Sequence, residues 1–234
     1  MTTSTATIAT RLEAVRERVA AACERAGRDP AGVTTVGVTK THPVDAVEEA
    51  LAAGQVDLGE NRAQELVPKA EQAADMGLVP RWHFIGGLQR NKVRQVLPHI
   101  AVLHSLDSLR LATEIEKRAE QGRSPNPDVP LPCYLEVNVG GEDSKQGVAP
   151  GEVAELLRAT AELRHVDVAG LMTVAPQVDD PELVRPVFRE LRELAEAHGL
   201  AELSMGMTED YEVAIEEGAT VVRLGRVIFG PRRS

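Results

Sequence analysis

Three phenylalanines, two tyrosines and one tryptophan are all the aromatic residues this chain of 234 has. A core with so few rings must be filled by Ala, Val, Leu and Ile. That suits strands buried on both faces, which read as apolar runs and not as alternating patterns. Cysteine is scarcer still. Cys23 and Cys133 make neither a disulfide framework nor a CxxC pair, which fits a reducing compartment and speaks against a structural metal site. No stretch approaches the roughly 20 apolar residues of a membrane span. The opening MTTSTATIATRLEAV has no basic start followed by an apolar run, so a cytoplasmic protein with no membrane partner is expected. No GxGxxG and no P-loop occurs, so the usual nucleotide signatures of an open doubly wound sheet are missing. Positive charge is also in deficit: 26 lysines and arginines face 36 aspartates and glutamates, for a net charge of −10. Such a surface repels phosphate backbones, so nucleic acid is not an expected partner.

What is present is a repeating alternation. Hydrophobic residues make up 43% of the chain, enough for a sizeable core. An opening helix is expected over about 3–26. Short apolar runs follow at 34–40, 56–58, 82–85, 101–105, 133–139, 168–173, 202–205 and 220–224. Amphipathic stretches beginning near residues 43, 60, 91, 108, 150, 181 and 208 separate them, and a second short helix follows the last run. Eight strands separated by helices imply a parallel sheet, and eight strands close a barrel. The expected fold class is therefore α/β: a single (β/α)8 TIM barrel with an extra N-terminal helix, occupying residues 1–234 as one domain. The Pro-rich stretch 124–132 reads as a loop at one edge of the barrel.

A barrel places chemistry at the C-terminal ends of its strands. Lys40 ends the first run, in GVTKTHP, where desolvation makes an amine a carbonyl nucleophile. Asn61, in LGENRAQE, follows the second run, as a helix cap, a ligand contact or both. His83 sits inside the third run, as much a core group as a functional one, and the signal at His104 is weaker still. On the fifth run Tyr134, Glu136 and Asn138 share one face. Helices want the apolar set on the other, so the polar pair should point inward. LSMGMTED and VVRLGRVIFG stand after the seventh and eighth runs, where barrels commonly bind phosphate. There Ser204 and Thr208 would supply hydroxyls, and Gly206 and Gly225 would let backbone approach the phosphate. On the eighth run Val221, Arg223 and Gly225 share one face, so Arg223 should point into the barrel. A nucleophilic lysine facing a phosphate cradle suggests a phosphorylated carbonyl ligand. Spacing leaves open whether this is pyridoxal 5′-phosphate (PLP) or a phosphorylated sugar in an aldolase.

The segments GVTKTHP, LGENRAQE, WHFIGGLQRNK, LEVNVGGEDSKQG, GLMTVAP, LSMGMTEDYEVAIEEGAT and VVRLGRVIFG, in order from about residue 36 to 230, resemble the PLP homeostasis family (YggS/PROSC). That family is similar to the barrel domain of fold-type III PLP enzymes such as bacterial alanine racemase, without their second, β-rich domain. The resemblance implies a Schiff base between PLP and Lys40, with Asn61 near the ring and its phenolic oxygen. Ser204, Thr208 and the backbones of Gly225 and Arg226 would hold the phosphate, and Arg223 would approach the pyridine nitrogen. Arg226 departs from the Thr usual at its place, so a guanidinium replaces the hydroxyl or the backbone alone serves. The resemblance further implies a carrier or regulator of PLP that exchanges it with apo-enzymes, with no catalytic residue assigned. The other class of function is a PLP-dependent amino-acid racemase or related enzyme. Racemisation needs acid and base on opposite faces of the cofactor, and the chain offers only Tyr134 and Tyr211 as tyrosines for the second role. One domain without an obvious apolar patch implies a monomer.

Overall fold

The computed structural model describes residues 6–126, 128–141 and 146–231. The first helix, α1 (Ile8–Arg25), starts where the Thr7 hydroxyl accepts the Thr10 amide at 3.2 Å, the cap that satisfies an otherwise orphaned donor. The start expected near residue 3 lies outside the described residues.

β1 (Thr34–Val38), α2 (Val44–Ala52), β2 (Asp57–Glu60), α3 (Ala63–Asp75) and β3 (Arg81–Phe84) come next. A single helical turn, α4 (Val93–Val96), leads to β4 (Val102–Leu106) and α5 (Leu109–Arg118). β5 (Leu131–Glu136), α6 (Val153–Thr160), β6 (Val166–Met172) and α7 (Arg185–Ala197) follow. β7 (Glu202–Ser204), α8 (Tyr211–Glu216), β8 (Val221–Leu224) and α9 (Arg226–Phe229) complete the order. Among the described residues the eight strands are parallel and close in sequence order, β8 pairing with β1 through registers such as Val36 with Arg223. This is the (β/α)8 barrel the alternation predicts. No helix among the described residues is long and apolar enough to cross a membrane.

Side chains alternate across the barrel wall. Val36, Val102, Tyr134, Met172 and Val221 pack together inside it. The larger apolar cluster, with Leu58, Leu103, Leu135 and Leu171, joins the outer strand faces to the helices. α9 has only four residues, too short to cover the gap between β8 and β1. α1 covers it instead: it packs against α8, α9 and α2 and buries Ile8, Leu12, Val15, Val19, Ala22 and Cys23. Arg25 ties it to α8 through Glu212 at 3.0 Å and Glu216 at 2.6 Å. The extra helix of the sequence reading thus completes the outer ring.

Two boundaries matter for the site. β1 stops at Val38, so Lys40 lies two residues past the strand in a turn. Asn61 lies directly after β2, but the cap position of α3 belongs to Arg62, and no side chain caps that helix. Asn61 is therefore not the cap.

Candidate functional site

One cavity of about 700 Å³ opens at the C-terminal ends of the strands, within the range of small-molecule sites. Six of the residues singled out from the sequence line it: Lys40, Asn61, Thr208, Arg223, Gly225 and Arg226. They come from β8 itself and from the segments that follow β1, β2, β7 and β8, so only closure of the barrel brings them together.

The backbone beside Lys40 is held in an unusual shape. Thr41 has φ 66°, the only positive value outside glycine among the described residues, and a β-branched residue adopts it at a cost. The Glu65 carboxylate accepts the Thr41 amide at 2.7 Å and offsets that cost. Directly below, the buried Lys69 ammonium donates to the Thr39 carbonyl at 2.8 Å and to Glu60 Oε1, which also accepts the Thr39 hydroxyl at 2.7 Å. Burial raises the Glu60 carboxyl above its ordinary value, and Lys69 opposes the rise. Lys69 is thus committed beneath the turn and stands outside the cavity wall. Lys92 also lies outside it, in the short turn Arg90–Lys92.

Asn61 Oδ1 is buried with no hydrogen-bond partner among the described residues. Its backbone lies against Gly86, where any Cβ would collide with the Asn61 carbonyl. Arg223 is 4% exposed. Its Nη1 donates to the Ser204 carbonyl at 2.7 Å and Oγ at 2.6 Å, and its Nη2 to the Thr173 carbonyl at 2.9 Å. Burial pulls the guanidinium down to about 10, while Asp210 and Glu136 work the other way, so it stays charged at neutral pH. The inward course of Arg223 agrees with the reading of β8.

Ser204 and Gly206, by contrast, do not line the cavity. Ser204 is fully buried and absent from the cavity wall, its hydroxyl engaged by Arg223 and, at 2.7 Å, by His104 Nδ1. It lies one layer below the mouth because β7 ends on it with the side chain turned to the barrel axis. Gly206 (φ 92°) serves the turn. A Cβ there would come within 2.6 Å of the Ala214 Cβ in α8, and its carbonyl accepts the Arg223 amide at 3.0 Å. Arg226 lines the rim, but its guanidinium reaches Glu209 at 2.6 Å and both side chains are exposed.

On β5, Tyr134 and Glu136 are buried on the inward side, as expected, yet neither lines the cavity. Tyr134 stacks on His104 with ring centroids 4.6 Å apart and donates to Glu202 at the base. Burial pushes the Glu136 carboxyl up to about 7 against the pull of Arg223. Sequence reasoning missed the Thr39–Glu60–Lys69 group and Glu65. A lysine and two glutamates on an amphipathic stretch read as solvent-facing charge, and only the turn they serve reveals them.

The family described as alanine racemase, N-terminal domain, matches residues 10–233. A pyridoxal phosphate homeostasis protein of Aquifex aeolicus is 46% identical over 229 residues, 95% of this chain and 97% of that one. Its counterpart of Pseudomonas aeruginosa is 42% identical over 228 residues, 97% of this chain and 96% of that one. Among solved structures, PipY of Synechococcus elongatus with PLP bound superposes with a TM-score of 0.81 at 32% identity, covering 95% of this chain and 100% of that one.

Proposed function

Because the chain belongs to the pyridoxal phosphate homeostasis family, built on the alanine racemase N-terminal domain, we propose that it binds PLP through a Schiff base on Lys40 and holds it for exchange or delivery. The observation that carries this reading is the convergence of Lys40, Asn61, Thr208, Arg223 and Gly225 on one cavity in a chain that aligns end to end with those relatives.

The residues fit the group. PLP brings an aldehyde for an amine, a phosphate and an electron-withdrawing ring. Asn61 offers the cavity a buried amide oxygen without a partner among the described residues, the kind of polar atom a ligand satisfies. Three of the five donors of Arg223 are spent on Ser204 and Thr173, which leaves two for a ring nitrogen. The Thr208 hydroxyl and the backbones of Gly225 and Arg226 take the phosphate. Ser204 supports Arg223 from below.

A carrier is favoured over a racemase by the tyrosines. Tyr134 is turned to the barrel base, Tyr211 is buried under the cation of Arg18, and neither lines the cavity. The face opposite Lys40 therefore lacks a tyrosine acid. On this reading residues 1–234 work as one cytoplasmic, monomeric PLP-binding domain whose partners are PLP and apo PLP-dependent enzymes. The purified protein, titrated with PLP, should develop the red-shifted absorption of a protonated imine, and Lys40→Ala should abolish that band while keeping the circular dichroism of the wild type. An unchanged band in Lys40→Ala would place the attachment elsewhere.

A further inference from the structure

A file of polar side chains runs down the inside of the barrel from the cavity to the opposite end. Arg223 Nη1 lies 2.6 Å from Ser204 Oγ, Ser204 Oγ 2.7 Å from His104 Nδ1, His104 Nε2 2.9 Å from His83 Nδ1, and His83 Nε2 2.9 Å from Asp57 Oδ1. Asp57 is the first residue of β2, at the base, where Arg81 also reaches it at 3.3 Å. Ser204 and His104 are fully buried and His83 is 2% exposed. No member between the two ends touches the cavity.

The direction of every bond in this file follows from its ends. Burial pushes the Asp57 carboxyl up, but hydrogen bonds from His83 and Arg81 together outweigh it and hold the group below its ordinary value, as a carboxylate. It can therefore only accept, and His83 Nε2 must carry a hydrogen. Burial keeps both imidazoles neutral, with Asp57 opposing at His83 and the charge of Arg223 adding to the effect at His104. A neutral ring has one donor and one acceptor, so His83 Nδ1 accepts from His104 Nε2 and His104 Nδ1 accepts from the Ser204 hydroxyl. Ser204 then has lone pairs left for Arg223, which can only donate. Every donor is matched to an acceptor, and every bond points from mouth to base. The reverse order would set an unprotonated His83 nitrogen against a carboxylate and leave the Ser204 proton without a place.

We infer that Asp57, His83, His104 and Ser204 are positioning residues that act on the cavity through Arg223, aligning its guanidinium by a hydrogen-bond relay of fixed direction. The consequence for a ring-bearing ligand rests on the reading proposed above; the relay itself does not. The four residues therefore serve the ring side of the site and not its phosphate side.

The ligand-free arm of the test is nitrogen NMR of the unmodified protein. Both His83 and His104 should be neutral at neutral pH, with Nε2 protonated and Nδ1 bare. Asp57→Asn, which keeps an acceptor oxygen, should preserve that pattern. The Arg223 Nη resonances should be separate in the wild type and averaged by faster rotation in Ser204→Ala. The ligand arm compares PLP with pyridoxal: Ser204→Ala should weaken both by the same factor, roughly three- to tenfold. His104 protonated on Nδ1, or either ring charged, overturns the relay whatever the cavity binds. Loss confined to PLP overturns the ring-side role by returning Ser204 to the phosphate. Unchanged affinity for both ligands with the expected tautomers overturns the coupling to the cavity.

Discussion

On the proposed reading Thr208 alone supplies the phosphate hydroxyl that the sequence shared between two residues. It is half-buried in the cavity wall, whereas Ser204 is sealed beneath it. A hydrogen bond to a charged group is worth about 1.5–3 kcal/mol, so Thr208→Ala should weaken PLP by at least roughly tenfold. Pyridoxal, which lacks the phosphate, should bind as before. Equilibrium titration of both ligands checks this, and equal losses would mean that the Thr208 hydroxyl reads the ring or the protein and not the phosphate. The alternation of side chains was enough to turn Ser204 inward; it says nothing about depth along the barrel axis. Depth comes from register, in which Ser204 pairs with Met172 on one side and Val221 on the other. His104 was opaque for a related reason: its partners His83 and Ser204 lie 21 and 100 residues away in sequence, and no local pattern links them.

The elements themselves were legible because strands covered on both faces must be apolar throughout, and helices that cover them must be amphipathic. Strand ends were less so. The run ending in Lys40 reads as one unbroken strand, but after the Thr39 amide makes the last bond to β2, at Gly59, the chain leaves the ladder and Lys40 enters the Thr41 turn. That turn depends on α3, which supplies both Glu65 and Lys69 from one face. Lys69→Met would strand the Glu60 carboxylate in the interior, and breaking a buried pair this way costs about 3–5 kcal/mol. Replacing both partners, Lys69→Met with Glu60→Leu, should recover most of the loss, since well-packed apolar pairs often match buried ion pairs. Urea denaturation of the two variants measures the difference. A double variant no more stable than the single one would show that the pair does more than neutralise Glu60.

At the scale of the whole molecule, the barrel interior stores charge that titrates near neutrality. Glu136 rises from 4.5 to about 7, so between those values the folded state holds a proton that the unfolded chain releases. Its contribution to stability is present at low pH and lost as pH rises through about 7. His83 and His104, held below 6.5, work in the opposite sense, since their contribution is lost as pH falls below that value. Glu136→Gln isolates the first effect. The stability of the wild type relative to this variant should fall between about pH 5 and about pH 8, and a difference independent of pH would mean that Glu136 titrates normally. The closed barrel and its outer ring bring Lys40 to the mouth, where on the proposed reading it meets a carbonyl ligand. Borohydride reduction of the PLP-loaded protein followed by peptide mass mapping tests that reading most directly. The pyridoxyl mass should fall on the peptide containing Lys40, and an adduct on Lys69, Lys92 or Lys145, or none at all, would contradict the assignment.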